Sequence, residues 1–197
     1  MSTEPLPALL ERIRACTVCR AQLPHGCRPV LQAGPGARLL VIGQAPGRRV
    51  HASGIPFDDA SGQRLRDWLG LDRDTFYDPE RVAIVPLGFC YPGSGRSGDL
   101  PPRPECAPLW HRQLLPQLPA VRLTLAIGQY AQAALLGPRR GRSLTDNVRN
   151  WQQHLAAGVL PLPHPSPRNR LWLARNPWFA AELLPVLRQQ VAAALGS

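Results

Sequence analysis

The sequence predicts a single α/β domain over residues 1–197, a three-layer α/β/α sandwich around a central four-stranded, mainly parallel sheet. Three observations carry this. Four short apolar runs stop at Gly or Pro, as buried strands do. Segments of helical periodicity follow them, giving a β-α-β-α-β-α-β-α alternation behind an extra N-terminal helix. No internal repeat and no linker marks a second domain.

The periodicity of PLPALLERIRA predicts a helix over about 5–15, and the Pro, Gly and polar residues of 20–37 predict a loop. RLLVIG (38–43) is the first strand, followed by a long Gly/Pro loop, QAPGRRVHASGIPFDDA. SGQRLRDWLG (61–70) opens on Ser and closes on Gly, like a capped helix. RVAIVPLG (81–88) is the second strand, FCYPGSGRSGDLPPRP a loop, and Glu105 to Leu118 a helix. RLTLAIG (122–128) is the third strand, with a helix through QYAQAALLG after it. Residues 138–150 are basic and mixed. VLPLP (159–163) is the fourth strand and runs into HPSPRN. The last segment reads as a helix kinked at Pro185.

Hydrophobic residues make 44 % of the 197, which excludes a disordered chain. No apolar run approaches the roughly 18 residues that span a bilayer, so no membrane partner is expected. The opening MSTEPLPALLERIRAC lacks the apolar core of an export signal, which predicts a cytoplasmic location. The formal charge is +10, and all 23 cationic side chains are Arg. A GC-rich genome would account for the missing Lys. The charge itself suits a polyanion, most simply nucleic acid. Without Lys no lysine Schiff base can form.

Cysteines stand at 16, 19, 27, 90 and 106, an odd number that argues against a disulfide framework. Cys16 and Cys19 form a C-x2-C pair; Cys90 and Cys106 form a wider one, beyond residues 20–89. Four thiolates suit zinc or an iron–sulfur cluster, and the spacing alone leaves both open, with unrelated buried cysteines as the third reading.

Two loops leave strands at their carboxyl ends, GQAPG (43–47) and HPSP (164–167). A parallel sheet brings them together, and active loops of such sheets lie at this edge. Gly and Pro let backbone N–H groups approach a ligand closely. His164 adds a neutral donor or a cation near neutral pH.

These motifs, in this order, resemble the uracil-DNA glycosylase superfamily, nearest its iron–sulfur-containing family-four type. GQAPG is similar to that family's GEAPG, GIPFDDASGQRL (54–65) to its G-x-PF-x-G-x-AG-x-LL segment, HPSP to its HPS motif, and C-x2-C…C-x15-C to its cluster ligands. The resemblance runs from Cys16 to about Pro167. It implies a uracil-DNA glycosylase-like fold and a monofunctional DNA repair glycosylase that hydrolyses the N-glycosidic bond of a flipped damaged base, uracil first. It implies a [4Fe–4S] cluster on Cys16, Cys19, Cys90 and Cys106, with Cys27 free and zinc as the alternative. Gly43, Gln44, Ala45, Phe57 and His164 would grip the base. Phe57 would stack on it, and His164 would donate to the uracil O2 where charge grows. Residues after the histidine motif would meet DNA: Ser166, Arg168, Asn169, and Leu171 as a wedge, although Leu171 and Trp172 equally suit packing under the last helix. Arg48 and Arg49 would meet phosphate or stay solvated. The partner is then DNA and the working unit a monomer at the bacterial nucleoid.

Three departures stand out. Gln44 replaces the family's carboxylate and Ala45 the Asp of the first-described uracil enzymes. Pro86 occupies the place of the Asn that reads uracil. Asp58 and Asp59 are then the nearest carboxylates for orienting water, or helix-capping residues near Ser61. His51, in RRVH, resembles the sugar-trapping histidine of one branch but sits in a different loop; it is a candidate contact to the base. These changes keep two alternatives open: a glycosylase for another lesion, such as hypoxanthine or a modified pyrimidine, or a non-catalytic binder of damaged or single-stranded DNA.

Overall fold

The computed structural model describes residues 4–96 and 98–196. The chain opens on α1 (Leu6–Arg14), whose Leu6, Leu9, Leu10 and Ile13 are buried at i, i+3, i+4 and i+7. The sheet is built from β1 (Leu39–Ile42) and β2 (Val82–Ile84), then, beyond the small antiparallel hairpin of β3 (Ser94–Gly95) and β4 (Gly98–Asp99), from β5 (Leu123–Ile127) and β6 (Val159–Leu162). Its order is β2-β1-β5-β6 with every pairing parallel, Val41 facing both Ile84 and Leu125, and Ile127 facing Leu162. Pro161 is tolerated because β6 is an edge strand.

Between β1 and β2 lie α2 (Arg48–Ser53), α3 (Ala60–Leu69) and α4 (Arg73–Tyr77). After β4 come α5 (Cys106–Leu114), α6 (Gly128–Leu135), α7 (Leu144–Arg149) and α8 (Trp151–Leu155), and after β6 come α9 (Arg170–Arg175) and α10 (Leu184–Leu195). Two buried clusters separate across the sheet. One joins Val41, Leu125 and Leu162 to α3 and α10; the other joins Leu40, Ala83 and Ala126 to α1 and α5. The expected three layers are therefore present. Among the described residues no helix is long and apolar enough to cross a membrane.

The differences from the sequence reading are local. The segment expected as loop after β1 holds α2, bounded by Gly47 and by Gly54 in a left-handed conformation. The second strand ends at Ile84 rather than near residue 88, since Pro86 cannot donate to a ladder. The mixed segment before β6 holds α7 and α8, tied to the sheet by a buried relay. There Gln132 donates to the Leu162 carbonyl (3.0 Å) and Asn147 donates to Gln132 (3.0 Å). The expected kink at Pro185 is a π-turn over Phe179–Leu183, which accommodates the N–H that proline lacks.

His111 on α5 is largely buried, and its Nε2–H donates to the Pro86 carbonyl (3.0 Å). Burial holds its pKa below the ordinary histidine value. His51, His154 and His164 are pushed the same way. The unfolded chain then binds protons that the folded chain refuses. This contribution is full above the unfolded value of about 6.5 and is lost as pH falls through it. Melting temperature should fall between about pH 7.5 and pH 5, and less steeply in His111→Gln. An identical slope in the variant would contradict the assignment.

Candidate active site

The carboxyl ends of β1 and β6 open into a cleft of about 490 Å³, in the general range of small-molecule sites and large enough to admit a base with its sugar. Its wall is the 43–47 loop and the first turn of α2; its floor carries Ile84 and Pro86, and His164, Ser166 and Arg168 close the opposite side. Phe57, Asp59 and Asp99 complete the lining.

Phe57 has a φ of +54°, in the left-handed region that disfavours a side chain. Several contacts hold it there. Tyr77 donates its hydroxyl to the Phe57 carbonyl (3.2 Å), and the Phe57 ring meets Phe76 edge-on at 6.4 Å. A Cβ at Gly62 would overlap the Phe57 carbonyl, so α3 can approach only with glycine there. At Gly43 a Cβ would sit 3.7 Å from the far end of the ring, which places Phe57 beside the first loop.

His164 is equally fixed. The Ser166 N–H donates to its Nδ1 (3.1 Å), leaving the proton on Nε2. Asn169 donates to the His164 carbonyl (2.7 Å), and Arg64 donates to the carbonyls of Pro165 (3.3 Å) and Ser166 (3.1 Å). Burial lowers the His164 pKa, against a smaller upward pull from Asp59 and Asp99, so the ring is neutral near pH 7. It is a pre-oriented hydrogen-bond donor.

A family model described as the uracil DNA glycosylase superfamily matches residues 31–188. The chain belongs to that superfamily. It is similar to a type-4 uracil-DNA glycosylase of Sulfurisphaera tokodaii, 28 % identical over 127 residues, 62 % of this chain and 54 % of that protein. It is similar to another of Saccharolobus solfataricus, 25 % identical over 175 residues, 82 % of this chain and 76 % of that protein. The chain thus spans about half the length of the first relative and three quarters of the second.

The superfamily's loops meet as their spacing implied: Gly43, Gln44, Ala45, Arg48, Arg49, Phe57, Asp59, His164, Ser166 and Arg168 all line the cleft. Four other residues singled out in the sequence lie elsewhere. Asp58 faces Arg73 (3.6 Å). Asn169 braces the histidine loop from behind. His51 packs against His25 and Tyr91, and its buried Nδ1 has no hydrogen-bond partner among the described residues. Leu171 is 71 % exposed on α9, outside the cleft, while Trp172 packs on the core. Asp59 caps α3, accepting the Gly62 N–H (2.9 Å), while also lining the cleft. Gln44 donates to the Leu100 carbonyl (2.7 Å), fastening the first loop to the residue just past the hairpin. Asp99 was not legible: it lies in a Gly/Ser-rich stretch with no periodicity, and only the hairpin brings it to the cleft.

All five cysteines line a second, small cavity under α1 and α5, together with Arg103 and Trp110. Cys27, expected to be a free thiol, also lines the cavity. The thiols are free. Burial pushes Cys90 up to about 12 and Cys106 to about 11. The Phe89 N–H donates to the Cys106 sulfur (3.3 Å). Among the described residues no three His, Cys, Asp or Glu form a group placed to hold a metal ion. Soft sulfurs around one space, with a backbone N–H aimed at one of them, are donors that would suit a thiophilic metal centre.

Proposed function

We propose that the protein is a monofunctional DNA glycosylase, hydrolysing the N-glycosidic bond of a base flipped out of DNA, uracil first. The observation that carries this is the fixed Nε2–H of His164 sharing one cleft with the aromatic ring of Phe57. Extrusion of a base costs a few kcal/mol, recovered in part by stacking on an aromatic face. As the C1′–N bond breaks, negative charge moves onto the base. A neutral histidine donor, with backbone N–H groups of the 43–47 loop, stabilises that charge without itself having to lose a proton. Arg48, Arg49 and Arg168 stand at the cleft to meet phosphate, and the exposed Leu171 suits insertion into the gap in the stack. Every group named comes from one chain, so a monomer suffices. With no lysine there is no side-chain amine for strand cleavage at the abasic site.

Pro86 favours a second reading of the base. It lines the cleft with an apolar ring, and its carbonyl accepts from His111. With no amide side chain there, selection would rest on cleft shape and backbone groups, which suits another lesion such as hypoxanthine or a modified pyrimidine.

The reading includes a [4Fe–4S] cluster on Cys16, Cys19, Cys90 and Cys106. Nothing in a hydrolysis needs an electron, so its part is to staple α1 and the 16–30 segment to the loop after β2.

Removing one donor to a developing anion commonly costs roughly 100- to 1000-fold. His164→Ala should lose that much in single-turnover excision of the base the wild type removes, with DNA affinity kept; normal excision would overturn the pocket assignment. Protein purified without oxygen should be brown, with iron and acid-labile sulfide in equal amounts. Cys90→Ser and Cys106→Ser should lose both and Cys27→Ser should keep them. Colourless protein carrying one zinc per chain would overturn the cluster.

A further inference from the structure

The first loop of this chain carries Gln44 and Ala45 where a carboxylate is expected, so the attacking water needs another base. We propose that Asp99, on the β3–β4 hairpin, supplies it; this rests on the glycosylase reading above.

Among the described residues two carboxylates line the cleft, Asp59 and Asp99. Asp59 Oδ1 is engaged by the Gly62 N–H as the cap of α3. Its first duty is structural. Asp99 is held differently. Its Oδ1 accepts from the Ser94 hydroxyl (2.9 Å), and Ser94 shares a second hydrogen bond with the hydroxyl of the fully buried Tyr91 (2.7 Å). One oxygen is thereby pinned to the core through a serine. The other, Oδ2, lies 3.4 Å from where a Cβ on Gly47 would stand, so it faces the first loop. Among the described residues Oδ2 takes no hydrogen bond and no arginine lies within ion-pair distance of it, which leaves it available to water.

Gln44 completes the arrangement. Its amide donates to the Leu100 carbonyl (2.7 Å), the residue after Asp99. The side chain at the position of the expected carboxylate thus grips the backbone that carries the substitute. Gln44 is a positioning residue here. Asp99 is on the exposed side of the cleft, whereas Phe57 and His164 are half-buried in it. A base held between those two puts its sugar toward the mouth, and water reaching C1′ passes the hairpin.

The step balances without a further reactant. The water oxygen bonds to C1′ and its proton passes to Asp99 Oδ2. The C1′–N bond breaks with its electron pair staying on the base, whose charge is stabilised by the His164 Nε2–H. The departing base then takes a proton from solvent.

The test is single-turnover excision of the base that the wild type removes, with DNA affinity measured in parallel. A positioned general base contributes roughly 100- to 10,000-fold, and Asp99→Asn should lose a factor in that range while binding DNA as well or better. Asp99→Ala should fall equally and recover part of its rate in added formate, whose carboxylate can take the vacated place. Asp74→Asn, on α4 away from the cleft, should keep the wild-type rate. A wild-type rate in Asp99→Asn, with His164→Ala impaired, overturns this proposal and leaves the glycosylase reading standing. Loss of rate together with loss of DNA affinity and no formate rescue assigns Asp99 a structural part, and also overturns it. A wild type that excises no base overturns both.

Discussion

Parallel pairing of β1 with β2 and β5, and of β5 with β6, points every strand's carboxyl end the same way. The cleft exists because of that constraint. Gly43 and His164 are far apart in the chain, yet each lies just past the end of its strand, and the parallel sheet brings both to one edge, where they line the same cleft. The buried relay from Leu162 through Gln132 to Asn147 fixes the last residues of β6 and so the entry to the histidine loop. Several side chains of the cleft are held in turn by contacts to backbone, and Asp99 by the Ser94 hydroxyl. Ser166 sets the tautomer of His164, Tyr77 and Gly62 set the strained backbone of Phe57, and Gln44 sets the hairpin.

The positive charge has two uses, and only one concerns a polyanion. Several arginines are directed at carbonyl groups within the fold. Arg28 donates to His51 and Ala52, Arg64 to the histidine loop, and Arg188 to Asp67 and Trp68. These tie helix ends and loops together through their carbonyls, as a fork-shaped donor can. Arg48, Arg49 and Arg168 instead stand at the cleft. Net charge predicted a nucleic-acid partner without separating these groups, because separation depends on which guanidinium reaches a carbonyl.

The strands were legible because apolar runs ending at Gly or Pro describe a buried parallel sheet, and β1, β5 and β6 follow those runs closely. The two loops of the cleft were legible for the same reason. What escaped the sequence is held by tertiary contact. The helix α2 is six residues long, with no apolar stripe to betray it. The hairpin of β3 and β4 has two residues per strand and stands on Tyr91, Ser94 and Asp99. Asp99 went unread with it. Cys27 lies on the cysteine cavity although its spacing matches neither pair. Asp58 and Asp59 could not be told apart in sequence. In the structure one pairs with Arg73, and the other caps α3 at the edge of the cleft.

The central claim is that this cleft holds a flipped base while its glycosidic bond is hydrolysed. The direct measurement is incubation of the purified protein with duplexes carrying uracil, hypoxanthine, xanthine or a mismatched thymine, with strands resolved before and after alkali. At least one of these strands should break, and only after alkali, because hydrolysis leaves an intact abasic site. Strands that stay whole after alkali on every substrate would contradict it, and so would strands that break before alkali.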